Sequence, residues 1–199
     1  MVGSEASVVR IACFAGVFTA MALWEVLAPR RHQSFKRRSR WPGNLGLVTL
    51  DVVLIRLVLP TGVVGAAVFA QSEGVGLFNM MPIPEWAAVC FSLLILDLVI
   101  YGQHVAFHAI PVLWRMHRVH HADLDFDVTT GVRFHPAEIA LSLALKCAFV
   151  IALGSPPIAV LAFEALLNAS SLFTHGNVRL PLALDRLLRL VLEAVRKRA

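Results

Sequence analysis

Four long apolar stretches constrain this chain more than any other feature: residues 8–28, 45–70, 86–101 and 137–174. A helix of about 20 apolar residues crosses a hydrocarbon layer of roughly 30 Å. Of the 199 residues, 58% are hydrophobic and only 16% are charged, and the mean hydropathy is +0.72. That is too apolar for a soluble domain. The expectation is an all-α, polytopic integral membrane bundle, with about four transmembrane helices or three plus a helical hairpin.

Charge placement orders the helices. The first stretch has Arg10 near its start and Glu25 near its end, and no small-residue cleavage pattern precedes Pro29. It reads as a membrane helix rather than a signal peptide. Residues 29–43 carry Arg30, Arg31, Lys36, Arg37, Arg38 and Arg40 without an acid, so this short loop belongs on the cytoplasmic side. His32 falls there as a solvated loop residue. Asp51 and Arg56 in the second stretch must face protein, a partner or the interface, and Pro60 is a kink point. Residues 71–85 have no Lys or Arg, as expected on the opposite side. In 137–174, Gly154-Ser155-Pro156-Pro157 divides two apolar arms and predicts a tight hairpin. Lys146 and Glu164 lie nine residues either side of Ser155, which would let them pair at one depth. Charge clustered beside apolar spans is explained by topology, so no nucleic-acid partner is indicated. Cys13, Cys90 and Cys147 lie far apart in apolar runs and offer neither a disulfide framework nor a thiolate metal site.

Between the third stretch and the hairpin lies HVAFHAIPVLWRMHRVHH, residues 104–121, which holds five of the eight histidines. On a helix His104 and His108 share a face, as do His117 and His121, with His120 adjacent. Imidazole is the commonest protein ligand for iron, zinc, copper and nickel. Two such clusters in one short segment point to a multi-histidine metal site, with a polynuclear centre fitting the crowding better than bis-histidine haem. Asp97 precedes His104 by seven residues on the same stripe and is a candidate to hold an imidazole from behind. The polar stretch after His121 reads as a loop outside the membrane. G-x-S-x-G, P-loop, GxGxxG and HExxH motifs are absent, which leaves hydrolase, kinase, dinucleotide-binding and zincin readings without support. By alternation, the histidines return to the side of the basic loop.

The order HxxxH, HxxHH, then Asp127-Val128-Thr129-Thr130-Gly131-Val132-Arg133-Phe134-His135-Pro136-Ala137-Glu138, then His175-Gly176-Asn177-Val178-Arg179-Leu180-Pro181 resembles the fatty acid hydroxylase / sterol desaturase superfamily. The resemblance covers roughly 86–192, leaving 1–85 as N-terminal membrane helices with the basic loop and 193–199 as a divergent basic tail. It implies a membrane oxygenase with two irons that uses O2 and electrons from an external electron-transfer protein to hydroxylate or desaturate a lipid-like or sterol-like substrate. His104, His108, His117, His120, His121 and His175 would be iron ligands. His135, Arg133, Glu138 and Asn177 would line the site or support the ligands. The family closes this region with a further HxxHH, whereas this sequence continues Glu193-Ala194-Val195-Arg196-Lys197-Arg198-Ala199. Fewer imidazoles imply reduced metal occupancy or an inactive form, with completion by a partner chain or carboxylates left open. The alternative function is a non-enzymatic membrane metal- or haem-binding protein, either a transporter or an electron carrier. Oligomeric state is left open.

Overall fold

The computed structural model describes residues 2–186; the basic tail and the end of the resembling segment lie outside the described residues. Helices α1 (Val2–Leu27), α2 (Arg37–Val58), α3 (Gly62–Ser72), α4 (Leu77–Met80), α5 (Glu85–Ala109), α6 (Pro111–His121), α7 (Pro136–Leu153) and α8 (Pro157–His175) follow in order, with a 3-10 turn at Thr130–Val132. Among the described residues there is no strand, only an isolated antiparallel bridge between Pro29 and Val178. Five stretches are long and apolar enough to cross a bilayer: Val8–Leu27, Arg37–Met80, Glu85–Ala109, Pro136–Leu153 and Pro157–His175. The chain is an integral membrane helical bundle, and the hairpin arms supply two of the five stretches able to span.

The distribution of side chains is that of a membrane protein. Val58, Leu94 and Leu98 are 79%, 68% and 65% exposed, whereas Asn44, Asp127 and Thr129 are fully buried. Lipid accepts the first group, while buried polar groups must find partners inside the protein. The main apolar core gathers Val63, Val64, Leu96, Leu143, Val150 and Phe163 from α3, α5, α7 and α8. Helix α2 stops at Val58, and α3 restarts at Gly62 beyond Pro60, because proline removes a helical donor and clashes with the preceding turn. The α7–α8 turn relies on Gly154 at φ 67°, where a Cβ would sit 2.7 Å from Asn79 Nδ2; glycine alone fits both conditions. Lys146 pairs with Glu164 at 3.5 Å, as the symmetric hairpin predicts, and Arg10 joins the same carboxylate at 3.3 Å.

At the opposite end from Gly154, the stretch after His121 is a loop, as expected, and much of it is packed inward. Asp125, Asp127, Thr129 and Thr130 are buried beneath the start of α2 and the end of α1. Arg40 binds Asp123 at 3.1 Å and also donates to Asp127 and to the Asp125 carbonyl. Glu25 accepts the backbone N–H groups of Val128 and Asn177 at 2.7 and 2.8 Å. Burial pushes the Asp123 carboxyl up, but hydrogen bonds from Thr130, Asn44 and Arg40 outweigh it and hold the group below the usual carboxylate range. This polar cap holds the histidine-bearing elements over the bundle.

Candidate metal centre

Two helices deliver five of the histidines. Ile110 is extended at φ −100° and ψ 118°, and Pro111 opens α6, the conformation that a residue before proline prefers. The chain turns sharply there, so that the end of α5 and the inner face of α6 meet. His104 and His108 approach through their Nε2 atoms at 3.2 Å, and His117 and His121 do so at 3.1 Å. Ring centroids of His104 and His108 lie 4.8 and 4.9 Å from that of His117. One nitrogen from each of His104, His108 and His117 falls within a common span of 4.8 Å. From the far side α8 ends at His175, whose Nε2 lies 2.9 Å from that of His120. Six imidazoles thus form one continuous cluster.

The outer ring nitrogens set which way the inner ones are protonated. His117 Nδ1–H donates to Glu138 Oε1 at 2.7 Å, His120 Nδ1–H to the Arg133 carbonyl at 3.2 Å, and His175 Nδ1–H to the Ser171 carbonyl at 2.8 Å. Carbonyl oxygens only accept, so the single proton of a neutral imidazole is committed to the outside. His120 and His175 consequently face each other with two lone pairs at hydrogen-bond distance. That arrangement is repulsive without a positive centre, and a separation near 3 Å matches neighbouring nitrogen ligands on an ion with bonds of about 2.1 Å. The donor set fits a bound transition metal of the iron, zinc, copper or nickel type and is unsuited to magnesium or calcium. Burial lowers His120 to about 2 and His121 to about 4, with neighbouring histidines adding to the effect; both are neutral, as ligation requires.

Aromatic rings wall the cluster. Phe107 stacks on His117 at 5.4 Å, Phe134 stacks on His120 at 4.6 Å, and Trp114 lies 5.4 Å from His108 and 5.5 Å from His121. His117 and His120 are buried, while His104 is exposed on one side of α5. The cluster is closed towards the protein and open at one edge.

The fatty acid hydroxylase family model matches residues 89–194, more than half of the 199 residues. The chain belongs to the fatty acid hydroxylase family. This family sits within the fatty acid hydroxylase / sterol desaturase superfamily, whose members are membrane hydroxylases and desaturases. No curated protein and no solved structure matches the chain.

Within this family member the remaining expected site residues divide between the cluster and other parts of the fold. Glu138, expected to line the site or support its histidines, hydrogen-bonds His117 at 2.7 Å. Asp97 is exposed on α5, about 10 Å of helical rise from His104, and the position behind an imidazole belongs to Glu138. His135 stands apart from the six rings: its Nδ1 accepts the Ala137 N–H at 3.1 Å and caps α7. Asn177 faces away from the cluster and clamps Arg31, accepting its N–H at 3.1 Å and donating to its carbonyl at 2.8 Å. Arg133 donates to the Val119 carbonyl at 2.9 Å and to Asn44 Oδ1 at 3.0 Å. Sequence reasoning passed over Phe107, Trp114, Phe134 and Ser171. The first three lie inside or beside the histidine motifs, and that proximity was the available signal. Ser171 acts through its backbone, which carries no residue signature.

Proposed function

We propose that this hydroxylase-family chain is a membrane di-iron oxygenase that hydroxylates or desaturates a lipid-like or sterol-like substrate with O2 and electrons from a separate redox protein. The observation that carries the reading is the pair of lone pairs at His120 and His175, set 2.9 Å apart inside a six-imidazole cluster. His104, His108 and His117 would hold one iron, and His120, His121 and His175 the other. Iron bound there supplies O2-dependent oxidation of an unactivated C–H bond.

The chain's own residues do the rest. Glu138, the Arg133 carbonyl and the Ser171 carbonyl keep each ring in the tautomer that binds metal. Phe107 and Phe134 exclude water from the buried side. The open edge at His104 adjoins the lipid-facing surface of α5, where Leu94 and Leu98 are exposed, and an apolar substrate reaches the cluster from the bilayer there. The external electron donor is part of the reading because the resemblance to the superfamily implies one. The basic 29–43 segment on the same end supports a cytoplasmic site. Arg31 lies over Phe126 at 5.6 Å, and Phe126 is 6.5 Å from His175, so this face offers an acidic redox protein a short approach to the cluster.

Metal analysis of the detergent-purified protein tests the reading. Iron is expected in the wild type, with a clear loss in His120→Ala and oxygen-dependent product formed from membrane lipid in the presence of reductant. Iron content unchanged by His120→Ala would remove the assignment, and a strong Soret band would replace it with a haem protein.

A further inference from the structure

The segment matched by the family begins at residue 89, yet the loop behind His120 is held by residues that precede it. Glu25 holds Val128, Phe35 N–H donates to Asp125 Oδ2 at 2.8 Å, and Arg40 binds Asp123 and Asp127. Asn44 of α2 adds a contact that leads, through Arg133, to a metal-site imidazole. Asn44 is fully buried, and its side-chain amide is used in full. Nδ2 donates to Asp123 Oδ2 at 2.8 Å and to Thr129 Oγ1 at 2.9 Å, while Oδ1 accepts from Arg133 at 3.0 Å.

Arg133 in turn grips His120 twice. Its Nε donates to the carbonyl of Val119, the residue just before His120, at 2.9 Å, and its own carbonyl accepts the His120 Nδ1–H at 3.2 Å. Asn44 makes the hydrogen bond at the second edge of the Arg133 guanidinium, whose Nη1 also stands 4.0 Å from Asp123 Oδ1. Aspartate at 44 would place a further carboxylate beside Asp123, and leucine would leave buried donors and acceptors unpaired.

We propose that Asn44 is a positioning residue of the metal centre: acting through Arg133, it holds His120 so that the Nε2 lone pair faces His175. The inference rests on the metal-centre reading above and adds to it a residue from α2, outside the family-matched segment.

Cobalt(II) titration of the full-length, detergent-purified protein tests it, because cobalt d–d absorption reports coordination geometry as well as affinity. Asn44→Leu and Arg133→Lys are expected to weaken cobalt binding roughly ten- to hundredfold and to shift the d–d bands. Arg10→Met removes one partner of Glu164 at the distant ion pair, and it is expected to lower the melting temperature while leaving the bands in place. The proposal is overturned if both site variants fold with wild-type affinity and spectrum, or if Arg10→Met shifts the bands equally. Should the site variants fail to fold, nitrogen-15 histidine spectra of the metal-free wild type decide, with His120 assigned by its loss in His120→Gln. An Nδ1–H tautomer upholds the proposal and an Nε2–H tautomer overturns it. A wild type that binds neither cobalt nor iron would instead overturn the metal-centre reading.

Discussion

At the scale of single residues, the cluster depends on where each imidazole keeps its proton. Among the described residues, Glu138 is the one charged group that takes the outer N–H of a clustered histidine, at 2.7 Å from His117. Glu138→Ala is expected to lower metal affinity by roughly ten- to hundredfold, measured by chelator competition; unchanged affinity would show that the carboxylate contributes nothing to ligation. Acid sensitivity follows from the same rings. In the metal-free protein His120 is lowered to about 2 and His121 to about 4, chiefly by burial, whereas an unfolded histidine titrates near 6.5. Above that pH both states are neutral and the rings have no effect. As pH falls below about 6.5, the unfolded chain takes up protons that the folded chain refuses, so stability declines. The melting temperature of metal-free protein should therefore fall between pH 7 and pH 5, and a flat profile would contradict the neutral state of these rings.

At the scale of elements, the 3-10 turn and α8 form one contact that bears on the site. A Cβ at Gly131 would lie 2.7 Å from the Ser171 carbonyl oxygen, and that same oxygen accepts the His175 Nδ1–H. Ser171 Oγ also donates to the Gly131 carbonyl at 2.7 Å. Gly131→Ala must push the turn away from α8, at a cost of about 1–3 kcal/mol, and should weaken metal binding at the His120–His175 pair. A variant with wild-type melting temperature and metal content would show that the contact is slack. The α5–α6 turn has the complementary role, since Ile110 and Pro111 fold one histidine helix back against the next.

At the scale of the whole molecule, the bundle is polar at one end and within its charged centre, and apolar where it faces lipid. Glu164 has Arg10 and Lys146 within 3.3 and 3.5 Å, tying α1, α7 and α8 together at a depth where an unpaired charge is costly. Orientation is open to a direct measurement. Ser34 lies at the histidine end and Glu73 at the other, both exposed. With Cys13, Cys90 and Cys147 replaced, a membrane-impermeant maleimide applied outside intact cells should label Glu73→Cys and spare Ser34→Cys. The reverse pattern would place the histidines outside the cytoplasm.

Much of this was legible in the linear chain, because hydropathy and the spacing of histidines are local properties. Apolar length marked the spans, Pro60 marked the break between α2 and α3, and the nine-residue symmetry about Ser155 paired Lys146 with Glu164. The HxxxH and HxxHH patterns marked five imidazoles that share two helix faces. What the linear chain left undecided depends on the meeting of distant segments. The acids after His121 read as a loop outside the membrane, but that Arg40 and Asn44 of α2 pair with Asp123 and Asp127 was not legible there. Asp97 has the right helical register but sits too far along α5, whereas Glu138 arrives from α7 to take the His117 proton. The resemblance already separated His175, a ligand candidate, from His135, a supporting one; packing then puts His175 against His120 and His135 on a helix cap. Periodicity reports which face of an element a residue occupies, while the partner across that face is chosen by how the elements pack.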